Sequence, residues 1–120
     1  SMGTSETLGR GSIQFMTAGT GVSHQEHNRN KEKHLRFIQM WIVPSARGLK
    51  PNYGSMRGEE MKAARSNAWA HLVSNTKNAA TTPVKINQDA NMYATELDAG
   101  ASLSLAVEDG RQAYVLCMEG

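Results

Sequence analysis

The chain has 120 residues, of which 39% are hydrophobic and 20% are charged, and its formal net charge at pH 7 is +2. This length suits one domain, and the balance of 13 basic and 11 acidic residues argues against direct nucleic-acid binding. No apolar stretch reaches the length of a membrane span, so we expect no membrane partner. The single cysteine, Cys117, excludes a disulfide within the chain and favours a cytoplasmic location. Because Cys117 lies in an apolar run, we expect it to be buried.

In the first half of the chain, alternation of apolar and polar residues predicts a short strand over 13–15, with Gln14 between two apolar residues. The strongest strand pattern covers 35–43, where apolar residues occupy both faces, as in a central strand covered on both sides. Proline and glycine then predict a long loop over 44–58, and one short helical turn is expected within 58–65.

In the second half, strands are predicted over 68–74, 84–86 and 92–97, with a turn at 98–100. Residues 101–107 and 112–118 are predicted to form a hairpin, because the turn signal at 108–110 separates two strand-like segments. Many short strands at close spacing predict an all-β sandwich or barrel.

The segment from Gly11 to Asn28 carries the clearest functional pattern. His24 and Glu26 are two residues apart, so in an extended segment both side chains point to the same side, whereas His27 points away. An imidazole nitrogen and a carboxylate oxygen are ligands of first-row transition metals, although a protein site generally needs three or four donors. The alternative for His24 is a turn histidine that is hydrogen-bonded to nearby backbone.

This segment resembles the second conserved motif of the cupins, Gly-x(5–7)-Pro-x-Gly-x2-His-x3-Asn. Gly11, Gly21, His24 and Asn28 fall in frame, and Gly19 stands where that motif has proline. The sequence of residues 16–26, Met-Thr-Ala-Gly-Thr-Gly-Val-x-His-x-Glu, more specifically resembles that of the pirin family, whose members are two-barrel cupins. Ile-Gln-Met-Trp-Ile-Val-Pro over 38–44 and Gly-Leu-Lys-Pro-Asn-Tyr over 48–53 extend this resemblance.

The end of the chain is similar to the first cupin motif, Gly-x5-His-x-His-x(3–4)-Glu-x6-Gly. Gly100 and Gly120 fit its outer glycines, which puts Ala106 and Glu108 at the two histidine positions and Ala113 at the glutamate position. The resemblance is therefore to a cupin hairpin without its ligands, as expected for a pirin C-terminal barrel.

The resemblance implies an all-β, cupin-like fold (a double-stranded β-helix or jelly roll) made of half-barrels that are completed by oligomerisation. Residues 1–58 resemble the second half of an N-terminal pirin-like cupin, and 84–120 resemble the first half of a C-terminal cupin. Residues 59–83 form a linker region, and we expect one compact folded unit. The family's earlier ligand histidines precede the point matched by Ser1–Met2–Gly3, so we interpret the chain as a truncated pirin-like protein.

The resemblance implies two main functions. The first is a non-catalytic, oligomeric binding protein in which His24 and Glu26 are a remnant metal pair, with Glu108 as a third donor. The second is a metal-dependent dioxygenase of the quercetin 2,3-dioxygenase type, whose His/His/His/Glu ligand set is matched here only by His24 and Glu26. A third function, that of a nuclear protein-binding cofactor, has no independent support from this small, nearly neutral chain.

The same resemblance leads to the expected cofactor and partners. No cofactor is certain, and a completed site would take a divalent Fe, Mn, Zn or Ni ion. A small-molecule ligand is compatible with either main function. We expect a homodimer formed by domain swapping, because half-barrels leave strand edges unpaired, and we expect Phe37 and Trp41 in or beside its interface.

Overall fold

The computed structural model describes residues 3–120, which form an almost entirely β structure; Ser1 and Met2, part of the resemblance above, lie outside the described residues. The strands are β1 (Ile13–Thr17), β2 (Asn52–Met56), β3 (Ala70–Asn75), β4 (Val84–Ile86) and β5 (Met92–Ala94), and a short 3₁₀ helix covers Gly58–Met61. This confirms the predicted all-β class. Within the described part of the chain, no helix has the length and apolar character needed to cross a membrane.

Strands β1 and β2 form an antiparallel two-stranded sheet in which Phe15 lies opposite Gly54. A side chain at position 54 would overlap the Phe15 ring, so glycine lets the ring lie against the β2 backbone. The prediction of a continuous loop over 44–58 is therefore wrong at 52–56. This segment has weak strand propensity of its own, and it becomes a strand because β1 supplies its hydrogen-bonding partner.

A second sheet has the order β4-β3-β5, with β3 parallel to β4 and antiparallel to β5. Its central strand, β3, lies within residues 59–83, for which a linker region is predicted. Both sheets contribute to one core, because Met56 of β2 packs with buried residues of β3 and β4. The buried members of this core are Met56, Ala70, Leu72, Val73 and Val84.

Arg65 is a buried side chain that connects segments belonging to the two sheets. Its side chain is only 8% exposed, and its Nε donates to Oε1 of Glu96 at 3.0 Å. Its Nη1 donates to the carbonyl oxygen of Gly58 at 2.5 Å, and Gly11 lies against the guanidinium group. A single buried cation therefore ties together the start of β1, the 3₁₀ helix and the segment after β5.

The strand predicted over 35–43 is wrong, because this segment has no strand structure. A strand needs a neighbour for its backbone hydrogen bonds, and no segment within residues 3–120 pairs with it. Its large apolar side chains are 42% to 85% exposed. They are Leu35, Phe37, Ile38, Met40, Trp41, Ile42 and Val43.

The hairpin predicted over 101–118 is only partly present. Its turn forms, with the N–H of Arg111 donating to the carbonyl oxygen of Glu108 at 3.0 Å, but the predicted strands 101–107 and 112–118 are not formed. The burial predicted for Cys117 is wrong for the same reason: the thiol is exposed because nothing packs over 112–118.

The described residues form a flat body. Its radius of gyration is 15.7 Å and its extents are 45 × 45 × 21 Å, whereas a globular chain of this length has a radius of about 14 Å. Much of the apolar content lies on the surface, in 35–43 and in the C-terminal part of the chain.

Candidate functional site

A tight turn after β1 determines where the His24–Glu26 segment begins. The N–H of Gly21 donates to the carbonyl oxygen of Ala18 at 2.7 Å, and Gly19 and Gly21 have φ angles of +53° and +125°. A side chain on Gly19 would overlap the carbonyl oxygen of Leu49. Glycine is therefore required here both for the backbone conformation and for the close approach of residue 49.

Glu26 is tied to β1, whereas His24 is not. Nε2 of Gln14 donates to Oε1 of Glu26 at 2.7 Å, a hydrogen bond between residues twelve positions apart. His24 is exposed and makes no side-chain hydrogen bond within the described chain; His27 is also exposed, with its Nε2 3.3 Å from Oε1 of Gln25. The structure thus places the predicted carboxylate donor beside β1 and leaves the predicted imidazole donor open to solvent.

Gln14 belongs to a polar face of the β1–β2 sheet. Gln14 lies opposite Ser55, and Met16 lies opposite Tyr53, so these four side chains share one face while Phe15 and Met56 face the core. The Tyr53 hydroxyl is 2.9 Å from Oε2 of Glu6 and 3.4 Å from Oε1 of Gln14. Because the hydroxyl has one proton, it donates to Glu6, the shorter contact.

The electrostatics of this face follow from the same contacts. Hydrogen bonds from Ser55 and Tyr53 lower the pKa of the Glu6 carboxyl from its usual value, and the charge of Arg57 acts in the same direction. Partial burial raises the pKa of Tyr53, and the hydrogen bond to Glu6 adds to this effect. Glu6 is therefore an ionised acceptor at neutral pH, and Tyr53 is a neutral donor.

The predicted metal ligands do not make a complete site within this chain. Among residues 3–120, no three His, Cys, Asp or Glu side chains are grouped closely enough to hold an ion. Glu108 lies in the turn before Arg111 and is not grouped with His24 and Glu26. The chemistry of His24 and Glu26 suits a first-row metal, but two donors do not fit a resident ion by themselves. That Glu108 supplies a third ligand for the metal therefore stays a prediction.

Sequence reasoning missed the residues that link Glu26 to the polar face of β1 and β2. One sequence feature could have identified Gln14. It lies between two core-facing residues of β1, so its side chain must point to the opposite face of the sheet. Glu6 and Tyr53 had no such signal, because only the pairing of β1 with β2 brings these residues together.

Two family models match the chain. Residues 1–42 match the model described as Pirin, and residues 63–120 match the model described as Quercetinase C-terminal cupin domain. These matches fit the order predicted from the motifs, with an N-terminal cupin segment followed by a C-terminal one. No solved structure matches the chain.

Curated relatives are about one third identical to this chain over the residues that align with it. It is 36% identical over its whole length to a Pseudomonas aeruginosa protein named "Putative quercetin 2,3-dioxygenase", of which it covers 50%. It is 32% identical over 78% of its length to the quercetin 2,3-dioxygenase of Escherichia coli, covering 37% of that protein. A pirin-like protein of Caulobacter vibrioides is 32% identical over 92% of this chain and is covered to 46%. The chain spans about half the length of the curated relatives that it matches, or less.

Proposed function

We propose that this chain, whose residues 1–42 and 63–120 match the models described as Pirin and Quercetinase C-terminal cupin domain, is a non-catalytic, cupin-like binding protein of the pirin family that works as a homodimer. His24 and Glu26 are in this proposal an incomplete metal-ligand pair. The observation that carries the proposal is the grouping of ligands: Gln14 of β1 holds Glu26, but among residues 3–120 no third His, Cys, Asp or Glu side chain is grouped with His24 and Glu26. Two donors give weak, exposed binding, whereas catalysis needs a metal of defined geometry with positions left for substrate.

The homodimer is supported by the apolar surface of the chain. Fourteen large hydrophobic side chains of the described residues are at least 40% exposed, whereas five hydrophobic residues are buried. Contiguous exposed apolar surface marks interaction sites in proteins that fold. A dimer would also supply pairing partners for the segments that are predicted as strands but remain unpaired in one chain. We further propose a cytoplasmic location, which the single, exposed cysteine supports.

The polar face gives this binding protein a place for a small molecule. Glu6, Gln14 and Tyr53 present an ionised carboxylate, an amide and a phenol on one side of the sheet. Such a set suits a ligand that carries several hydroxyl groups, because it offers both donors and acceptors.

The second proposal is a quercetin 2,3-dioxygenase, and the names of two relatives favour it. In that case His24 and Glu26 would bind the metal together with donors that residues 3–120 do not bring to the same place. The bound metal would supply the redox and Lewis-acid chemistry of that reaction.

One set of measurements decides between the two functions. Native mass, metal content and quercetin turnover are measured on the purified chain after it is loaded with Mn²⁺, Fe²⁺, Zn²⁺ or Ni²⁺. We expect a dimer, less than one tightly held ion per chain and no turnover. One ion per chain with turnover that disappears in His24→Ala, and persists in the control His27→Ala, would establish the dioxygenase instead. Loss of the ion in Glu108→Ala would identify the third donor.

A further inference from the structure

The segment from Arg111 to Glu119 is an apolar run with a charge of opposite sign at each end. Tyr114, Val115, Leu116 and Met118 within it are 51% to 88% exposed. Within the described chain, its backbone takes part in no strand pairing, although its sequence predicts a strand. It therefore has the composition of a strand but no pairing neighbour among residues 3–120.

Contacts at both ends hold this segment beside residues 36–43 of the same chain. Oε1 of Glu119 is 3.0 Å from Nη2 of Arg36, and Oε2 of Glu119 is 2.6 Å from Nη1 of Arg10. At the other end, Nη1 of Arg111 is 2.9 Å from Oδ2 of Asp89, whose neighbour Gln88 donates to the carbonyl oxygen of Val43 at 2.8 Å. Residues 36–43 and 111–119 therefore run in opposite directions along the same part of the molecule.

The charges of this segment are complementary to those of a second copy of itself. Two antiparallel copies with Val115 opposite itself put Arg111 opposite Glu119 at both ends of the pair. Directly opposed residues of antiparallel strands point to the same face, so each Arg–Glu pair can form. A shift of one or two residues removes this alignment, which means that one register is favoured.

We propose that residues 111–119 of two chains pair as antiparallel strands about a two-fold axis at Val115. In this arrangement Arg111 exchanges its pair with Asp89, and Glu119 its pairs with Arg10 and Arg36, for an Arg111–Glu119 pair between the two chains. The exchanged pairs are exposed and contribute little to stability, so the exchange costs little. The inference rests on the proposed homodimer and specifies its interface. The occupant is a second copy because the charge pattern is self-complementary, as an isologous interface requires.

Cysteine cross-linking tests the register directly. Val115→Cys is made in a Cys117→Ser background, so that position 115 carries the only thiol. Cys117 itself would lie opposite Ala113 of the other chain and would not form this bridge. Opposed residues of antiparallel strands have Cα atoms about 4.5–5.5 Å apart, within the range of a disulfide. We expect a covalent dimer after mild oxidation. Tyr114→Cys and Leu116→Cys are the matched controls, because in this register the two copies of residue 114, or of residue 116, are diagonal neighbours about 7–8 Å apart. Both variants should stay largely monomeric on denaturing gels.

Charge exchange gives an independent readout from sedimentation. Arg111→Glu and Glu119→Arg should each weaken dimerisation about fivefold, and the double variant should restore it. Restoration would not follow from the contacts within one chain, because the double variant still loses the pairs of Arg111 with Asp89 and of Glu119 with Arg10 and Arg36.

The outcomes separate this interface from the proposed homodimer itself. A monomer at micromolar concentration would overturn both proposals. A stable dimer without the Val115→Cys bridge, or with equal bridging at all three positions, would overturn only the interface and leave the homodimer standing. Circular dichroism of each variant confirms that the comparison is made between folded chains.

Discussion

The amide nitrogen Nε2 of Gln14 donates a 2.7 Å hydrogen bond to Oε1 of Glu26, which joins the middle of β1 to the predicted metal-ligand segment. Glu26 lies outside any strand, so this contact is a specific link between that segment and the sheet. The segment that carries His24 is therefore held near the polar face of β1 and β2 by a side chain rather than by backbone pairing.

Replacement of Gln14 by leucine should loosen the segment around His24. A hydrogen bond to a charged group contributes about 1–2 kcal/mol, so we expect the backbone order parameters of 22–28 to fall. The matched control is Gln25→Leu, because the Gln25 side chain is hydrogen-bonded to His27 within the same segment. NMR relaxation measures both variants, and equal order parameters in the two would contradict this role of Gln14.

Substitution of Gly54 by alanine should destabilise the first sheet. The added methyl group would overlap the Phe15 ring, which packs against the core and has little room to move. Overpacking of this kind costs about 1–3 kcal/mol. The control Gly9→Ala adds a methyl group with no atom within 4 Å. Denaturant unfolding of both variants provides the comparison, and equal midpoints would show that Phe15 does not lie against β2.

Removal of the Arg65 guanidinium should lower the stability of the whole chain. Arg65→Met leaves Glu96 and the Gly58 carbonyl oxygen without their donor, and we expect a loss of about 2 kcal/mol because Glu96 is partly solvated. Arg47→Met, on the exposed surface, should change the free energy of unfolding by no more than about 0.5 kcal/mol. If the free energy of unfolding falls no more in Arg65→Met than in this control, the connecting role of Arg65 is refuted.

Loss of the Tyr53 hydroxyl should raise the pKa of Glu6. The lowered pKa of Glu6 means that its carboxylate stabilises the fold above the ordinary carboxyl range, and that this contribution is lost as the pH falls through the folded-state value. Tyr53→Phe removes one of the two hydrogen bonds that hold this pKa down. A carboxyl NMR titration should then show Glu6 closer to its usual value, whereas Tyr114→Phe should leave Glu6 unchanged. An unshifted titration in Tyr53→Phe would mean that Ser55 and Arg57 act alone.

Local patterns were sufficient for several elements. Alternation predicted the start of β1, and residue type predicted the short strand β4. Turn residues predicted the turns at 98–100 and 108–110, which are closed by the backbone hydrogen bonds Ala101–Asp98 and Arg111–Glu108. The short 3₁₀ helix also lies within the predicted range 58–65. Each of these features depends on residues that are close in the chain, and their side chains act on the backbone directly.

The candidate site was predictable only in part. The motif located His24 and Glu26, whose chemistry is set by residue type. Gln14 and Tyr53 became part of the site because β1 and β2 pair in the register that puts Gln14 opposite Ser55. The contact between Gln14 and Tyr53 joins residues that are 39 positions apart, and no local pattern predicts which of many segments will meet.

The sequence by itself determined the all-β class, the cupin motifs and the local turns, because periodicity and turn chemistry act over a few residues. Only the tertiary structure decided that 52–56 is a strand and that 35–43 is not. The physical reason is that a strand is stable only with a hydrogen-bonding neighbour. Asn52–Met56 finds β1 and a glycine that admits Phe15, whereas the strongly apolar segment 35–43 has no pairing partner within the described chain.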